Sequence, residues 1–547
     1  MRVDEKNVGD WLSEIRQSKI ALPRFQRFEE WQRKIKENFL TSVVRELPTG
    51  ALLVLEKNTP PFEYRYLKEA PEDDVGPDKL LLDGQQRLTT LWKSLNDYDE
   101  ERTFLLDLSD DQPKVVSEKR RKRRGKIYPL WVDKPEGCWD RKKVPLYLLN
   151  PDDSPRHMRE WSKEAVDDEE ERDELLDTFH EVRDTISTFK LPSLVLEEGT
   201  DPDNAIDVFI KLNTSYVELS TFDIVVARTE AQTGDSLHDK KEELLERCPE
   251  IKDYKDPEKY VLNVVALLQE KRPTQTNQKK KLDFQQMIDE WGKVVSGTEQ
   301  LIDFLEQEKI FDKKRIPTNV ILAPLAALLT HVSTHPDERG NEKRILKRYM
   351  WRAFFTDRYE TSTNEGIYQD YNALKKVLNG QETEVPCFDE EKHPLPTKNR
   401  LMQANWPKKK NRLGRAILSL TIKKGAKNFA DDDVVTKRNI ENREYHHLYP
   451  RDYLEKNGFE EEEIDKALNC ALIRWEDNRT ISGKEPLEYL VERSKADDLG
   501  EEQIKKRLRT HLVDYKTIIE NDYERFLEDR ASRIENELKE VCEGRDI

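Results

Sequence analysis

The sequence predicts a mostly helical α+β protein with an α/β region first, a helical middle region and a C-terminal α+β domain. Glycine accounts for only 19 of 547 residues, which disfavours a turn-rich all-β architecture because glycine serves the tight turns between strands. Short apolar runs alternate with helically spaced ones over residues 1–110, whereas helical spacing alone continues over residues 231–390. A chain of this length has room for about three or four folded units.

Residues 1–230 are predicted to form the α/β domain. The runs ALLVLE (51–56) and KLLL (79–82) are typical of buried strands, and residues 31–44 and 87–95 have apolar side chains at helical spacing. LPSLVLE (191–197) predicts a returning strand, followed by a helix over 205–212. Residues 111–190 carry a basic run (119–126) and an acidic run (167–174), so they predict an insertion or an exposed helical arm rather than core.

The rest of the chain is predicted as a helical middle domain, residues 231–425, and a last domain, residues 426–547, that ends in charged helices from about residue 501. The five cysteines stand singly, so we expect ordinary buried thiols rather than a zinc site or a disulfide framework. No apolar stretch is long enough to span a bilayer, and none near the start has the character of a signal peptide. We therefore expect a cytoplasmic protein with no membrane partner.

The string Asp83-Gly84-Gln85-Gln86-Arg87 lies between the predicted strand 79–82 and the predicted helix 87–95. A strand–turn–helix corner presents free backbone N–H groups and the positive end of the helix dipole, which is where anions bind. Gly84 permits a tight turn, Arg87 can fork onto a phosphate, and the amides of Gln85 and Gln86 can reach a base or a sugar. The alternative is that Asp83 only caps the helix and Arg87 is a surface charge.

Two further segments, PRFQR (23–27) and FIKLNTSYVELSTFD (209–223), accompany this string. Together the three resemble, over residues 10–230, the DGQQR domain of the ParB/sulfiredoxin-like class, found in the GmrS half of GmrSD-type modification-dependent restriction enzymes. The resemblance implies nucleoside triphosphate binding and hydrolysis, with sensing of modified DNA. Ser215 and Tyr216 depart from the family, which usually has a small residue there. The implied nucleotide-binding residues are Gln26, Arg27, Asp83, Gly84, Gln85, Gln86, Arg87, Asn213 and Asp223, of which Asp83 and Arg87 are also expected to be catalytic.

The adjacent histidines in EYHHLYP (444–450) are followed by Asn469 and Asn478. This order resembles the HNH (ββα-metal) nuclease signature of the GmrD half of the same proteins. Phosphodiester hydrolysis needs a base for the water and a cation for the phosphate oxygens. The resemblance implies that His447 is the general base, that His446 and Asn478 are metal ligands, and that Asn469 braces the catalytic loop.

Imidazole and oxygen donors without thiolates favour Mg²⁺ or Mn²⁺ over structural zinc. The alternative is that the two histidines pack against Trp475 and Tyr449, and that the asparagines make turn and cap hydrogen bonds. Residues 451–468, which lengthen the connection between the motifs, predict a solvated helix.

The net charge of −17 would repel DNA if it were evenly spread. Residues 392–430, however, contain eleven Lys or Arg and no Asp or Glu. A solvated basic face explains such a window as well as DNA binding does, but its position beside a candidate phosphodiesterase site favours DNA. The predicted DNA-binding residues are Lys408, Lys409, Lys410, Arg412 and Arg415. The basic run at 119–126 is more typical of flexible surface.

We therefore expect an anti-phage restriction-type endonuclease that acts on modified or foreign double-stranded DNA, with a nucleoside triphosphate regulating an HNH metal site, and with homo-oligomers possible. One alternative is a nucleotide-binding regulatory or DNA-binding defence protein whose HNH site is not its main activity. Another is that the N-terminal ParB-like domain is itself the nuclease. The sequence leaves open which modification is sensed and which nucleotide is used.

Overall fold

The computed structural model describes residues 1–26, 31–56, 62–110, 112–123, 126–212, 219–408, 410–429, 431–474, 484–495 and 500–547. The chain divides into two compact units, residues 1–238 and 239–547. The described residues form a mixed, mostly helical α+β structure, as expected. The further division of the second unit near residue 425 stays a prediction.

The first unit contains, in chain order, β1 (Arg2–Asn7), α1 (Val8–Arg16), β2 (Ile20–Pro23), α2 (Arg33–Val44), β3 (Leu52–Glu56), β4 (Tyr64–Arg65), β5 (Lys79–Asp83), α3 (Gln85–Leu95), β6 (Arg102–Asp107), β7 (Lys114–Lys119), β8 (Arg121–Arg123), β9 (Lys126–Tyr128), α4 (Pro135–Trp139), β10 (Lys143–Pro145), α5 (Pro155–Ala165), α6 (Glu169–Thr188), β11 (Lys190–Leu196), α7 (Pro202–Leu212) and α8 (Thr221–Thr233). Helix α9 (Leu237–Arg247) runs across the boundary between the units.

A mixed sheet is the framework of this unit. Within the described residues it has six strands in the order β1-β11-β3-β5-β2-β4. The pairs β11/β3 and β2/β5 are parallel, and the other neighbours are antiparallel. The predicted strands at 51–56, 79–82 and 191–197 are therefore confirmed, and they are adjacent in the sheet even though β11 is remote in sequence.

The prediction that residues 111–190 form an insertion or an exposed helical arm rather than core is wrong about the core, to which these residues contribute. Strand β7 pairs with β6, which also pairs with β10, so this region builds a second antiparallel sheet. Its sparse apolar side chains, including Val115, Trp161 and Phe179, join the same hydrophobic core as α1 and α3. The composition of residues 111–190 is polar because many charged residues, which face outward, lie between these apolar side chains.

The second unit contains α10 (Pro257–Leu268), α11 (Gln275–Lys280), α12 (Phe284–Asp289), α13 (Trp291–Gln307), α14 (Leu322–Leu329), α15 (Pro336–Phe355), α16 (Thr363–Leu378), α17 (Lys398–Met402), α18 (Arg412–Lys423), β12 (Arg443–His447), α19 (Arg451–Lys456), α20 (Glu461–Ile464), β13 (Cys470–Arg474), α21 (Pro486–Lys495), α22 (Glu501–Thr510), α23 (Tyr515–Ile519) and α24 (Tyr523–Cys542).

Helices α10, α13 and α14 form a closely packed group in this unit. A Cβ added at Gly297 in α13 would lie 2.5 Å from the Ala326 carbonyl oxygen of α14, so glycine is what lets these two backbones approach. Helix α15 packs against both α18 and α24, which ties the predicted middle and last domains together within one unit.

Strands β12 and β13 form an antiparallel ribbon in which His446 faces Ala471 and His447 faces Cys470. Arg530 of α24 lies beneath the ribbon with 1% of its surface exposed. Its guanidinium donates to the carbonyl oxygens of Leu468, Cys470 and His511. The last long helix therefore fixes the strand that lies opposite the paired histidines.

All five cysteines are buried and free, as the sequence predicts. Among the described helices, none has the length and apolar character needed to cross a membrane.

Candidate functional site

The DGQQR string forms the corner between β5 and α3. Gly84 is the N-cap residue of α3, with φ = 101°, a conformation that glycine adopts without steric cost. An added Cβ there would lie 2.2 Å from Leu52 Cδ2, so the turn also needs glycine for space. Arg87, 8% exposed, donates to the Asp83 carboxylate at 3.1 Å and to the Thr49 carbonyl oxygen at 3.2 Å.

Burial raises the pKa of Asp83, and the positive charge of Arg87 only partly opposes this. A carboxylate held this way depends on its guanidinium to remain ionised. The corner therefore combines a buried ion pair with the N-terminal end of an eleven-residue helix, which is a geometry suited to anion binding.

The PRFQR segment is hydrogen-bonded to this corner at the residues that the structure describes. Gln26 is 8% exposed, and its Nε2 donates to the carbonyl oxygens of Leu81 and Leu82 at 2.6 and 2.7 Å. The Gln86 side chain accepts from the Trp31 backbone N–H at 3.1 Å. Gln26 thus holds the PRFQR segment to β5, and Gln86 holds Trp31, which follows that segment, to α3.

Asp223 has a capping role. Its carboxylate accepts from the backbone N–H and the hydroxyl of Ser220, and Ser220 in turn caps α8. This box satisfies N–H groups that the helix start leaves unpaired. The predicted nucleotide-binding residues Arg27 and Asn213 lie outside the described residues.

Sequence reasoning missed two charged side chains near this corner. Arg65 on β4 donates to the Gln26 carbonyl oxygen at 3.3 Å, and burial lowers its pKa. The Glu230 side chain, 1% exposed, lies 3.6 Å from Arg24 Nε. Arg24 stands inside the PRFQR string, but no local pattern marks Arg65 or Glu230, because they reach this place through strand pairing and through helix α8.

In the second unit, His447 ends β12 with its ring held on two sides. Its Nε2 lies 2.9 Å from Asp465 Oδ1, and its ring stacks on Trp406 with the centroids 3.9 Å apart. Burial lowers the pKa of His447, and the neighbouring Asp465 partly opposes this. The ring is therefore neutral near pH 7 and available as a proton acceptor.

His446 lies on the other face of the ribbon, as alternation along a strand requires. It is 4% exposed, and its ring meets Phe429 and Tyr489 edge-on, with centroids 6.2 and 6.4 Å away. Tyr489 of α21 also donates to the Leu448 carbonyl oxygen at 2.8 Å. Helix α21 thus packs on the face of the ribbon that carries His446.

Asn469 is fully buried and braces the loop after β12. Its Oδ1 accepts from the Tyr449 N–H at 2.8 Å, and its Nδ2 donates to the carbonyl oxygens of Tyr449 and Ile464 at 3.1 and 3.3 Å. One amide therefore satisfies both backbone groups of the residue two positions after His447.

No three His, Cys, Asp or Glu side chains that could hold a metal ion come together in the described part of the chain. Cys470 is buried and its thiol pKa is raised, so it supplies no thiolate. Mg²⁺ commonly takes only one or two protein ligands. Of the two predicted metal ligands, His446 is buried against Phe429 and Tyr489, and Asn478 lies outside the described residues.

The predicted basic residues have different surroundings. Lys408 is exposed, with its Nζ 3.5 Å from Asp465 Oδ2, and Lys410 is exposed as well. Arg412 pairs with Glu360 at 2.9 Å, and Arg415 donates to the Pro317 carbonyl oxygen at 3.0 Å. Only the two lysines are thus presented to solvent as cations, and Lys409 lies outside the described residues.

Sequence reasoning also missed Asp465. The connection between β12 and β13 is not one solvated helix, because it forms the short helices α19 and α20 and then turns inward. The Trp406 N–H donates to the Asp465 carbonyl oxygen at 2.8 Å, and the Ala467 N–H donates to the Ala404 carbonyl oxygen at 2.8 Å. These bonds bring Trp406, which lies within the basic window, to the ring of His447.

Comparison with known proteins finds a family model similar to the first unit and a relative similar over the full length. Residues 8–230 match the family described as "GmrSD restriction endonuclease, N-terminal domain". The chain is also 25% identical to a protein named "Uncharacterized protein MJ0686" from Methanocaldococcus jannaschii, with 98% of this chain and 99% of that protein covered. Residues 8–230 are therefore similar to the N-terminal domain of GmrSD restriction endonucleases.

Proposed function

We propose that this protein is a restriction-type endonuclease that hydrolyses phosphodiester bonds of modified or foreign DNA at the ribbon formed by β12 and β13. The observation that carries the proposal is the pairing of His447 with Asp465 beside exposed Lys408, in a chain whose first unit matches a restriction endonuclease domain. A neutral imidazole oriented by a carboxylate can act as a general base, and a nearby ammonium group can attract the phosphate backbone of DNA.

In this proposal His447 takes a proton from the attacking water, and Asn469 keeps the loop after His447 in place. A bound Mg²⁺ or Mn²⁺ would stabilise the charge that develops on the phosphate. His446 and Asn478 are the residues proposed to hold it. Lys408, Lys409 and Lys410 contribute positive charge along the approach of the DNA.

The first unit is proposed to bind and hydrolyse a nucleoside triphosphate and so to regulate cutting. Support comes from the Asp83–Arg87 pair at the start of α3, where the helix end favours the phosphate charge. Gln85 and Gln86 follow directly on the first turn, within reach of such a ligand. The state of the nucleotide would then decide whether the second unit cuts.

The test is cleavage of matched modified and unmodified plasmids by the full chain, with Mg²⁺ and with each nucleoside triphosphate in turn. We expect nicking or cutting by the wild type, its loss in His447→Ala, and no effect of His180→Ala, which changes an exposed histidine of the first unit. Undiminished cutting by His447→Ala would place the nuclease in the N-terminal domain. Absence of cutting on every DNA by the wild type would favour a regulatory or DNA-binding role.

A further inference from the structure

Asp465 contacts both His447 and the charged side chains around it. It ends helix α20, and its side chain is only 15% exposed. Its Oδ1 lies 2.9 Å from His447 Nε2 and 2.8 Å from Arg451 Nη2, while its Oδ2 lies 3.5 Å from Lys408 Nζ. One carboxylate therefore contacts an imidazole and two cations.

The ionisation of Asp465 decides which nitrogen of His447 carries the proton. Burial opposes ionisation, but hydrogen bonds from His447 and Arg451 outweigh it and hold the pKa of Asp465 below its usual value. An ionised carboxylate can only accept hydrogen bonds. Nε2 must therefore donate to it, and in the neutral imidazole the lone pair is then on Nδ1.

The stacking partner fixes the plane of the same ring. Trp406 lies at 20° to the imidazole plane, and its indole is 7% exposed within a hydrophobic cluster that includes Leu418 and Leu472. The backbone of Asp465 accepts from the Trp406 N–H. Asp465 thus fixes the ring through its side chain and the ring's stacking partner through its backbone.

The second ring nitrogen of His447 has different surroundings. Nδ1 makes no hydrogen bond with any described residue, and the His447 side chain is 20% exposed. Nδ1 is therefore the nitrogen at which we place the attacking water. The arrangement leaves one nitrogen for orientation and the other for chemistry.

We propose that Asp465 is the positioning residue of His447, which it holds as the Nε2–H form so that Nδ1 is the nitrogen that accepts the proton. The proposal rests on the endonuclease function proposed above. In the step, the water oxygen bonds to phosphorus, its proton passes to Nδ1, the ester P–O bond breaks, and the leaving oxygen takes a proton from solvent. His447 then returns its proton to solvent.

The first test measures nicking by the full-length chain under conditions in which the wild type cuts. Asp465→Asn keeps the shape of the side chain but can donate to Nε2 and so favour the wrong tautomer. We expect kcat to fall by about 100-fold or more with KM for DNA within about threefold, because the contribution of a general base lies in kcat. Asp465→Glu should recover at least about tenfold over Asp465→Asn, since it restores a carboxylate.

Asp452→Asn is the matched control, because Asp452 is an exposed carboxylate in the same connection. It should cut as the wild type does. Unchanged kcat in Asp465→Asn, together with loss of cutting in His447→Ala, would overturn the role of Asp465 and leave the proposed function standing. Full activity in Asp465→Asn with loss of activity in Asp465→Glu would show that shape rather than the carboxylate matters, and would also overturn it.

The second test does not depend on activity. Ring-¹⁵N histidine labelling of the full chain at a pH above 8, with the His447 signal assigned by its loss in His447→Ala, reports the tautomer directly. We expect Nε2–H in the wild type and a changed tautomer in Asp465→Asn. An Nδ1–H form in the wild type would refute the proposal. Undiminished cutting by His447→Ala would overturn the endonuclease site instead, whatever the tautomer.

Discussion

The carboxylate of Asp83 and the guanidinium of Arg87 form a largely buried ion pair, 3.1 Å apart, across the first turn of α3. Burial raises the pKa of Asp83, so the carboxylate depends on Arg87 for its charge. The Asp83–Arg87 pair lies at the corner proposed to bind a triphosphate, and it therefore also contributes to the stability of the first unit.

Replacing Arg87 with Gln should both destabilise the first unit and abolish nucleotide turnover. Loss of one partner leaves a buried carboxylate without its cation, which costs about 3 kcal/mol in the free energy of unfolding. Thermal unfolding and a phosphate-release assay measure the two effects. The double variant Asp83→Asn, Arg87→Gln should be more stable than Arg87→Gln alone, and equal or lower stability of the double variant would contradict the dependence.

Gly84→Ala should destabilise the protein more than Gly234→Ala does. Both glycines have positive φ, but an added Cβ would lie 2.2 Å from Leu52 at Gly84 and would meet no atom within 4 Å at Gly234. We expect a loss of about 1 kcal/mol at Gly234 from the backbone conformation alone, and about 2–4 kcal/mol at Gly84 with the steric overlap added. Unfolding in urea tests this, and equal losses would contradict the close approach.

The double variant Lys408→Ala, Lys410→Ala should weaken DNA binding and flatten its dependence on salt. Each phosphate contact that is lost reduces the salt slope by about one. Arg412→Ala is the comparison, because Arg412 is paired with Glu360 and should affect thermal stability more than the slope. Fluorescence anisotropy at several salt concentrations distinguishes them, and an unchanged slope in the double variant would count against a DNA contact.

Stability should depend on His511 at acid pH. The residue is completely buried, its Nε2 hydrogen bonds to the Lys427 carbonyl oxygen, and burial lowers its pKa from 6.5 to about 4. The unfolded chain takes up the proton first, so the contribution is complete above about pH 6.5 and falls by about 3 kcal/mol as the pH drops towards 4. His511→Gln can still donate to Lys427 but does not titrate, so its unfolding should depend less on pH in this window. Parallel curves for the two proteins would refute the assignment.

Local patterns in the sequence predicted the β5–Gly84–α3 corner well. An apolar run, a glycine and helically spaced leucines each act within a few residues, and the structure confirms the strand and the helix that they indicate. Residues 111–190 failed because a core can be built from widely spaced apolar side chains between charged ones, and composition averages the two.

The contacts of His447 could not be predicted in the same way. Asp465 lies in an acidic run, FEEEEID, whose other carboxylates are at the surface, so nothing in its local sequence distinguishes it. Trp406 lies in the basic window and reaches the ring only through its bond to the Asp465 backbone. Both contacts with His447 form only because the chain after α20 folds back against the ribbon, and local sequence does not indicate that tertiary packing.

Arg530 makes the last long helix, α24, important for the structure of the β12–β13 ribbon, although no sequence motif marks it. Burial lowers the pKa of Arg530 to about 10. The carbonyl oxygens of Leu468 and His511 accept hydrogen bonds from its guanidinium and so partly compensate the buried charge. A nonsense mutation before α24 would leave every predicted nuclease residue in the polypeptide, yet would remove the guanidinium that holds the Leu468 and Cys470 carbonyl groups. We expect such a truncated product to lose cutting because the ribbon misfolds, although its sequence would still contain both motifs.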